Sequence, residues 1–308
     1  MIAIFFLILP IYLLLGLGYL AVRGRVIAQD DLRRMMDIVL RLFLPGMMFY
    51  AIAANPIADT LDRGFLLAYA AAGLTALGLF TAIARWAGKP LASAGVEGMG
   101  ASCPNSAFFG LPIATMVLGP EIALQGFALA LLVENLIVLP LAIGVCEAGA
   151  AGQSGRRAAL RRMALNPLLL SALAGLVWAL SGIALPAPVE SALLLLTQAA
   201  APMVLVGIGG TLVGLRLTGE SAGAMRVVFG KLIFHPAAAI IFVTVLGAGT
   251  SAAMRDAVVI YAASPMMGIF VILAARFGRD KMAGAAQIAA ITLSVLTIPL
   301  MLWLISGN

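Results

Sequence analysis

Apolar residues run along this chain in stretches of about twenty, separated by short polar interruptions. Ten stretches are read, at approximately 2–22, 35–54, 64–84, 97–118, 121–146, 165–184, 190–214, 226–248, 254–275 and 283–305. An α-helix rises ~1.5 Å per residue, so about twenty residues cross the ~30 Å hydrocarbon layer of a bilayer. Each stretch is therefore expected to be a membrane-crossing helix. The longest connection, 147–164, opens with a Gly/Ser patch from Gly149 to Gly155 and continues with Arg156, Arg157, Arg161 and Arg162. It separates five spans (1–146) from five more (165–308). The first run starts at Ile2 with no Lys or Arg before it, and it reads as a retained helix, not a cleaved signal.

Composition sets the class. Of 308 residues, 63% are hydrophobic and 10% are charged, with a mean hydropathy of +1.11. Soluble domains carry about 25% charged residues, because folded proteins keep a large wetted surface. These values exclude a soluble enzyme, a nucleic-acid-binding domain and a disordered chain, and leave an all-α polytopic membrane protein. The net charge of +6 is a matter of topology. Sixteen of the nineteen basic residues fall after spans 1, 3, 5, 7 and 9, among them Arg226 and Lys231. The positive-inside rule then puts those loops and the basic linker in the cytoplasm. Both termini are expected outside the cell (inner) membrane. Cys103 and Cys146 lie in or beside apolar runs without CxxC spacing, so neither a disulfide framework nor a zinc site follows.

Five spans per half is an odd number, so the second half enters the membrane inverted, and an inverted five-plus-five repeat is expected. A shift of 157 residues maps Pro10 onto Pro167, Gly18 onto Gly175 and Pro45 onto Pro202. A stronger sign is a matching pair of interruptions. Span 4 reads Gly100-Ala-Ser-Cys-Pro-Asn-Ser-Ala-Phe-Phe-Gly-Leu-Pro112, and span 9 reads Tyr261-Ala-Ala-Ser-Pro-Met-Met-Gly-Ile-Phe270. Each is broken mid-span by proline, which removes a donor and clashes with the preceding turn. Open backbone in hydrocarbon is tolerated only where protein or a water-lined cavity satisfies it. Matching breaks in corresponding spans point to a binding site at the midplane, where positive half-helix ends favour an anion and open carbonyls favour a cation. The expected substrate-contacting set is Asn105, Ser106, Gly110, Pro112, Ser264, Pro265, Met266 and Gly268, with Pro104, Pro112 and Pro265 marking the crossing.

Other polar residues lie at membrane depth. Glu134 and Asn135 sit mid-way along span 5, where a carboxylate costs about 2.5–3.5 kcal/mol on insertion scales and is functional by default. Glu134 can carry a proton or, with Asn105 and Ser106, offer oxygen ligands to sodium. His235, the single histidine, precedes Pro236 and suits proton transfer or helix packing. Asp37 and Arg41 are spaced for an i, i+4 ion pair. Gly207, Gly209, Gly210 and Gly214 have no strand before them, which rules out a nucleotide fingerprint, and Gly210-xxx-Gly214 is read as a close helix contact.

The stretch Pro104-Asn105-Ser106-Ala107-Phe108-Phe109-Gly110-Leu111-Pro112 closely resembles the fourth-helix signature of the auxin efflux carrier family, which includes plant PIN carriers and bacterial malonate-type carriers. Leu44-Pro45, Ala201-Pro202 with Gly207, and Ser264-Pro265 followed by Ala274-Ala275-Arg276-Phe277-Gly278 are similar to its other landmarks. The resemblance implies a scaffold of helices 1, 2, 6 and 7 and a mobile core of helices 3–5 and 8–10. It further implies elevator-type transport of organic anions at the crossing of helices 4 and 9, and homodimers through the scaffold. The distant sodium–bile acid symporters are similar in placing polar groups around sodium sites. Phe270 stands where plant members carry a second proline, and the central loop is short, so a small carboxylate is expected over auxin.

The leading expectation is a secondary active transporter of a small organic anion, coupled to sodium or protons or driven by membrane potential. A sodium-coupled carrier resembling the bile acid symporters is the alternative. A passive channel and an intramembrane enzyme are the other classes considered. Gly-x-Ser-x-Gly, His-Glu-x-x-His and Walker motifs are missing from the sequence, so no catalysis and no cofactor are expected.

Overall fold

The computed structural model describes residues 2–54, 61–150, 167–211, 213–214 and 221–306. Most of the basic linker, including Arg156, Arg157, Arg161 and Arg162, lies outside the described residues, as does Arg216. In chain order the helices are α1 (Ile2–Arg23), α2 (Gln29–Ile38), α3 (Leu44–Ala53), α4 (Arg63–Trp86) and α5 (Leu91–Ser102). They continue as α6 (Leu111–Leu118), α7 (Pro120–Val133), α8 (Leu139–Ala150), α9 (Pro167–Leu180) and α10 (Ala187–Thr211). The last are α11 (Ser221–Phe229), α12 (His235–Leu246), α13 (Ala252–Ala263), α14 (Phe270–Ala275) and α15 (Asp280–Ser306). Among the described residues no strand forms, and a single antiparallel bridge pairs Pro104 with Met266.

Among the described residues, five continuous helices are long and apolar enough to cross a membrane: Arg63–Trp86, Pro120–Ala150, Ala187–Thr211, Ser221–Leu246 and Asp280–Ile305. Their outer faces carry exposed aliphatic side chains such as Leu195, Val245 and Leu296, each about two-thirds accessible or more. An aqueous surface would penalise such faces, whereas hydrocarbon does not. The expected spans 4 and 9 are not continuous. Each begins as a twelve-residue helix, α5 or α13, and then breaks.

Among the described residues, four five-residue turns of wider, π-type helix occur at Val39–Phe43, Ser106–Gly110, Glu134–Val138 and Gly230–Phe234. Each ends two residues before a proline, namely Pro45, Pro112, Pro140 and Pro236. The reason is steric. A proline ring collides with the carbonyl four residues earlier, and an extra residue in the preceding turn moves that carbonyl away. Proline is not sufficient, because Pro10, Pro202 and Pro299 lie inside regular α-helices. One wide turn overturns an expected contact. Arg41 lies within Val39–Phe43, off the regular i, i+4 register from Asp37, and among the described residues the two exposed side chains form no ion pair.

The chain divides into two units. One comprises Met1–Phe5, Asp62–Ala164 and Arg216–Asn308, and the other Phe6–Leu61 and Leu165–Leu215. In the larger unit, Phe65, Tyr69, Phe109, Phe127, Tyr261 and Phe270 are almost fully buried. Glu97, with no exposed surface, receives Arg226 Nε at 2.7 Å and Arg226 Nη2 at 2.9 Å, and Arg279 Nη2 lies 3.6 Å away. Arg276 Nη2 meets Glu147 Oε1 at 3.2 Å. Arg226, Arg276 and Arg279, expected as loop charges, thus clamp carboxylates of the first half of the chain.

The smaller unit is held by close backbone approach. A Cβ on Gly209 would fall onto the Leu15 carbonyl, and one on Gly18 onto the Val206 carbonyl. α1 and α10 therefore meet backbone to backbone, as small residues permit in membranes. The expected Gly210-xxx-Gly214 contact is corrected. Gly210 packs on Leu32, but Gly214 has a φ of 81° and nothing within 4 Å of an added Cβ. It lies beyond the end of α10, where a left-handed residue turns the chain.

Gly209→Leu is expected to lower stability by about 1–3 kcal/mol or more, because overpacked side chains cannot relax against backbone. Gly144→Ala, with nothing within 4 Å of its Cβ, should be neutral or mildly stabilising. Thermal unfolding in detergent compares the two.

Candidate functional site

The two interruptions meet within the larger unit. α5 ends at Ser102, and Cys103, Pro104 and Asn105 continue in non-helical conformation before the wide turn and α6. α13 ends at Ala263, and Ser264 is extended at its cap. The two extended segments then pair. Asn105 N–H donates to the Pro265 carbonyl at 2.7 Å, and Met267 N–H donates to the Cys103 carbonyl at 3.0 Å. Each break thus satisfies backbone groups that the other leaves open, which is what non-helical backbone at membrane depth requires.

The expected substrate-contacting residues divide by role. Asn105 is 4% exposed, and its side-chain oxygen caps the following turn by accepting from Phe108 N–H at 3.4 Å. Among the described residues, its side-chain NH2 group has no partner. Ser264 is buried, and its hydroxyl donates to the Ile260 carbonyl one turn back. A Cβ on Gly110 would come 2.5 Å from the Tyr261 ring and 3.2 Å from Ser264 Oγ, so this glycine serves close packing across the crossing. Tyr261 is itself fixed by donating to the Ala123 carbonyl at 2.6 Å. Pro112 occupies the first turn of α6, a position where its missing N–H is harmless. Pro265 and Met266 are buried at the bridge, and Gly268 lies between it and α14.

Beside the crossing lies a polar cluster. Tyr69 OH and Ser106 Oγ both donate to Glu134 Oε1, each at 2.5 Å, and the two hydroxyl oxygens are 3.2 Å apart. Tyr69 and Ser106 are buried, while Glu134 keeps some exposure. The Tyr69 ring also lies 6.3 Å from the His235 ring, centroid to centroid. His235 Nδ1 is 2.9 Å from Lys231 Nζ, and Lys231 Nζ donates to the Ala262 carbonyl at 2.6 Å. The chain of contacts thus runs from Glu134 through Tyr69, His235 and Lys231 to the last turn of α13. Asn135 does not join it, because its NH2 group donates to the Leu131 carbonyl of its own helix at 3.0 Å.

Lys231 is the residue that sequence reasoning misplaced. Expected as a cytoplasmic loop charge, it has no exposed surface and sits in the wide turn Gly230–Phe234. Its position four residues before His235, inside an apolar run, was the available signal. Tyr69 was also missed, since a single tyrosine in an apolar helix carries no pattern. Among the described residues, no group of three or more His, Cys, Asp or Glu could hold a metal ion.

The long apolar helices, the exposed aliphatic faces and the crossed breaks define a polytopic membrane protein. A family model described as membrane transport protein matches residues 3–149 and 155–304. The chain belongs to that family, the auxin efflux carriers whose signature it carries. A protein of Rhizobium meliloti (strain 1021), provisionally named a malonate transporter, is 27% identical over 309 residues, spanning 98% of this chain and 96% of the relative. The protein is an integral membrane transporter.

Because Tyr69 and Ser106 serve one carboxylate oxygen, Tyr69→Phe and Ser106→Ala should each destabilise by about 1.5–3 kcal/mol. The double variant should depart from their sum by about 0.5–3 kcal/mol. A double-mutant cycle on thermal unfolding in detergent measures both.

Proposed function

We propose that this transporter is a secondary carrier of a small organic anion, a carboxylate such as malonate, bound at the crossing of the two broken helices. The observation that carries this reading is the reciprocal backbone pairing of Asn105 with Pro265 and of Met267 with Cys103. It sets the start of the apolar half-helix Ser106–Leu118 at the break. A helix start carries about half a positive charge, which favours a carboxylate. The free NH2 group of Asn105 adds a donor there. Glu134, held by Tyr69 and Ser106, is the group through which a proton or a sodium ion would couple to the anion. The name of the Rhizobium meliloti relative supports a short dicarboxylate as the first substrate to try.

Alternating access, in this reading, is elevator-like. The unit that contains the crossing and the polar cluster is the moving core, and the unit of Phe6–Leu61 and Leu165–Leu215 is the scaffold. The grouping of chain segments supports this assignment, because the core collects segments from both halves of an inverted five-plus-five repeat of ten spans. The basic linker is cytoplasmic in the same reading, with both termini outside.

Malonate uptake into proteoliposomes tests the site. Asn105→Asp keeps a good helix cap but removes the amide donors and adds a negative charge. It should cut uptake by about tenfold or more, as expected for losing a hydrogen bond to a charged group, while leaving the thermal midpoint near that of the wild type. Unchanged apparent affinity in this variant would place the anion elsewhere.

A further inference from the structure

Lys231 poses a problem that the crossing alone does not solve. Its side chain is fully buried, in a unit whose neighbouring helices are apolar. A buried ammonium persists only when it is paired and hydrogen-bonded. Its partners are specific. The Ala262 carbonyl belongs to the last turn of α13, where helix carbonyls lack intrahelical partners and together carry about half a negative charge. The second partner is His235 Nδ1. When Lys231 is an ammonium it can only donate, so Nδ1 then accepts and the ring proton resides on Nε2. That Nε2 is buried and has no partner among the described residues. Glu134 is linked to this lysine by way of Tyr69 and His235.

The open carbonyl end of a broken helix is, in general, a place where a cation is favoured. Hard cations take oxygen ligands, and unwound carbonyls at helix breaks supply them in carriers with discontinuous helices. Here the Lys231 side chain already holds the Ala262 carbonyl at 2.6 Å.

We infer that Lys231 is a tethered cation: its ammonium occupies the position that a mobile coupling ion would fill at the crossing, so the carrier binds its anion without sodium. The inference rests on the crossing being the anion site, and it concerns a position that binds no substrate directly. Lys231 is a positioning residue, which neutralises the end of α13 and so fixes the Ser264–Met267 segment that pairs with Cys103 and Asn105.

The test uses purified full-length protein with malonate as the transported probe and sodium, choline and methylammonium as the ions. Wild-type flux and thermal midpoint should be the same in sodium and in choline. Lys231→Ala should lose about tenfold or more of the malonate flux, the size of a charge-assisted bond. Its thermal midpoint should fall and should recover on adding sodium or methylammonium, which can enter the vacated position. A rise in wild-type flux or midpoint with sodium over choline would overturn the inference without needing any variant. So would a Lys231→Ala protein that keeps wild-type flux, or that loses it with no ion-dependent recovery. Absence of malonate transport by the wild type would count against the anion reading alone, since the ion dependence of the thermal midpoints still decides the role of Lys231.

Discussion

Hydrocarbon offers no water to backbone N–H and C=O groups, and the core of this transporter is arranged around that constraint. Two helices are broken where continuity is normally obligatory. Neither break is tolerable by itself, because each exposes backbone groups costing several kcal/mol apiece. They are tolerable together, since Asn105 N–H and Met267 N–H find carbonyls in the opposite segment. Around that mutual repair the neighbours must come very close. Gly110 lets the wide turn lie against Tyr261, and Gly100 lets α5 lie against Phe270 and Val227.

The same constraint explains where the polar side chains are. Ser106, Glu134 and Lys231 each lie in a wide turn just before a proline. An extra residue per turn rotates the following side chains relative to a regular helix, so a position that would face the apolar periphery can face the interior. Proline thus has two effects in this unit. It interrupts backbone pairing, and at Pro112, Pro140 and Pro236 it follows a widened turn that carries a polar side chain. The spatial consequence is two polar groups, a carboxylate held by two hydroxyls and a lysine held by a helix end, with the Tyr69 and His235 rings between them.

Much of this was legible in the sequence, and the limits are physical. The breaks in spans 4 and 9 were legible because Pro, Gly and small polar residues clustered in an apolar run open the helix that the rest of the run would form. Glu134 was legible because a carboxyl group at that depth is costly wherever it lacks a partner. Lys231 was not, because counting cations near span ends cannot distinguish a loop lysine from one a few residues inside a helix. Arg226, Arg276 and Arg279 were read as topology signals only, and their pairing with Glu97 and Glu147 depends on contacts more than 100 residues distant in sequence. Gly214 failed for a different reason: two glycines four residues apart imply contact only if the helix continues, and α10 ends at Thr211.

The ion pairs also bear on how stiff the larger unit is. Glu97 with Arg226 and Arg279, and Glu147 with Arg276, join the first half of the chain to the second inside one unit. Breaking the pairs at fully buried Glu97 leaves an uncompensated charge, which costs about 3–5 kcal/mol, while the solvent-screened Glu147–Arg276 pair contributes far less. Such links resist internal rearrangement far more than the mutual sliding of apolar helix faces does, because apolar contact is non-directional. A unit cross-linked in this way, with its crossing completed by backbone pairing and its Ala262 carbonyl held by Lys231, has little freedom to open internally. If access to the anion is to alternate, the rigid-body displacement of the whole unit is the motion that leaves these bonds intact.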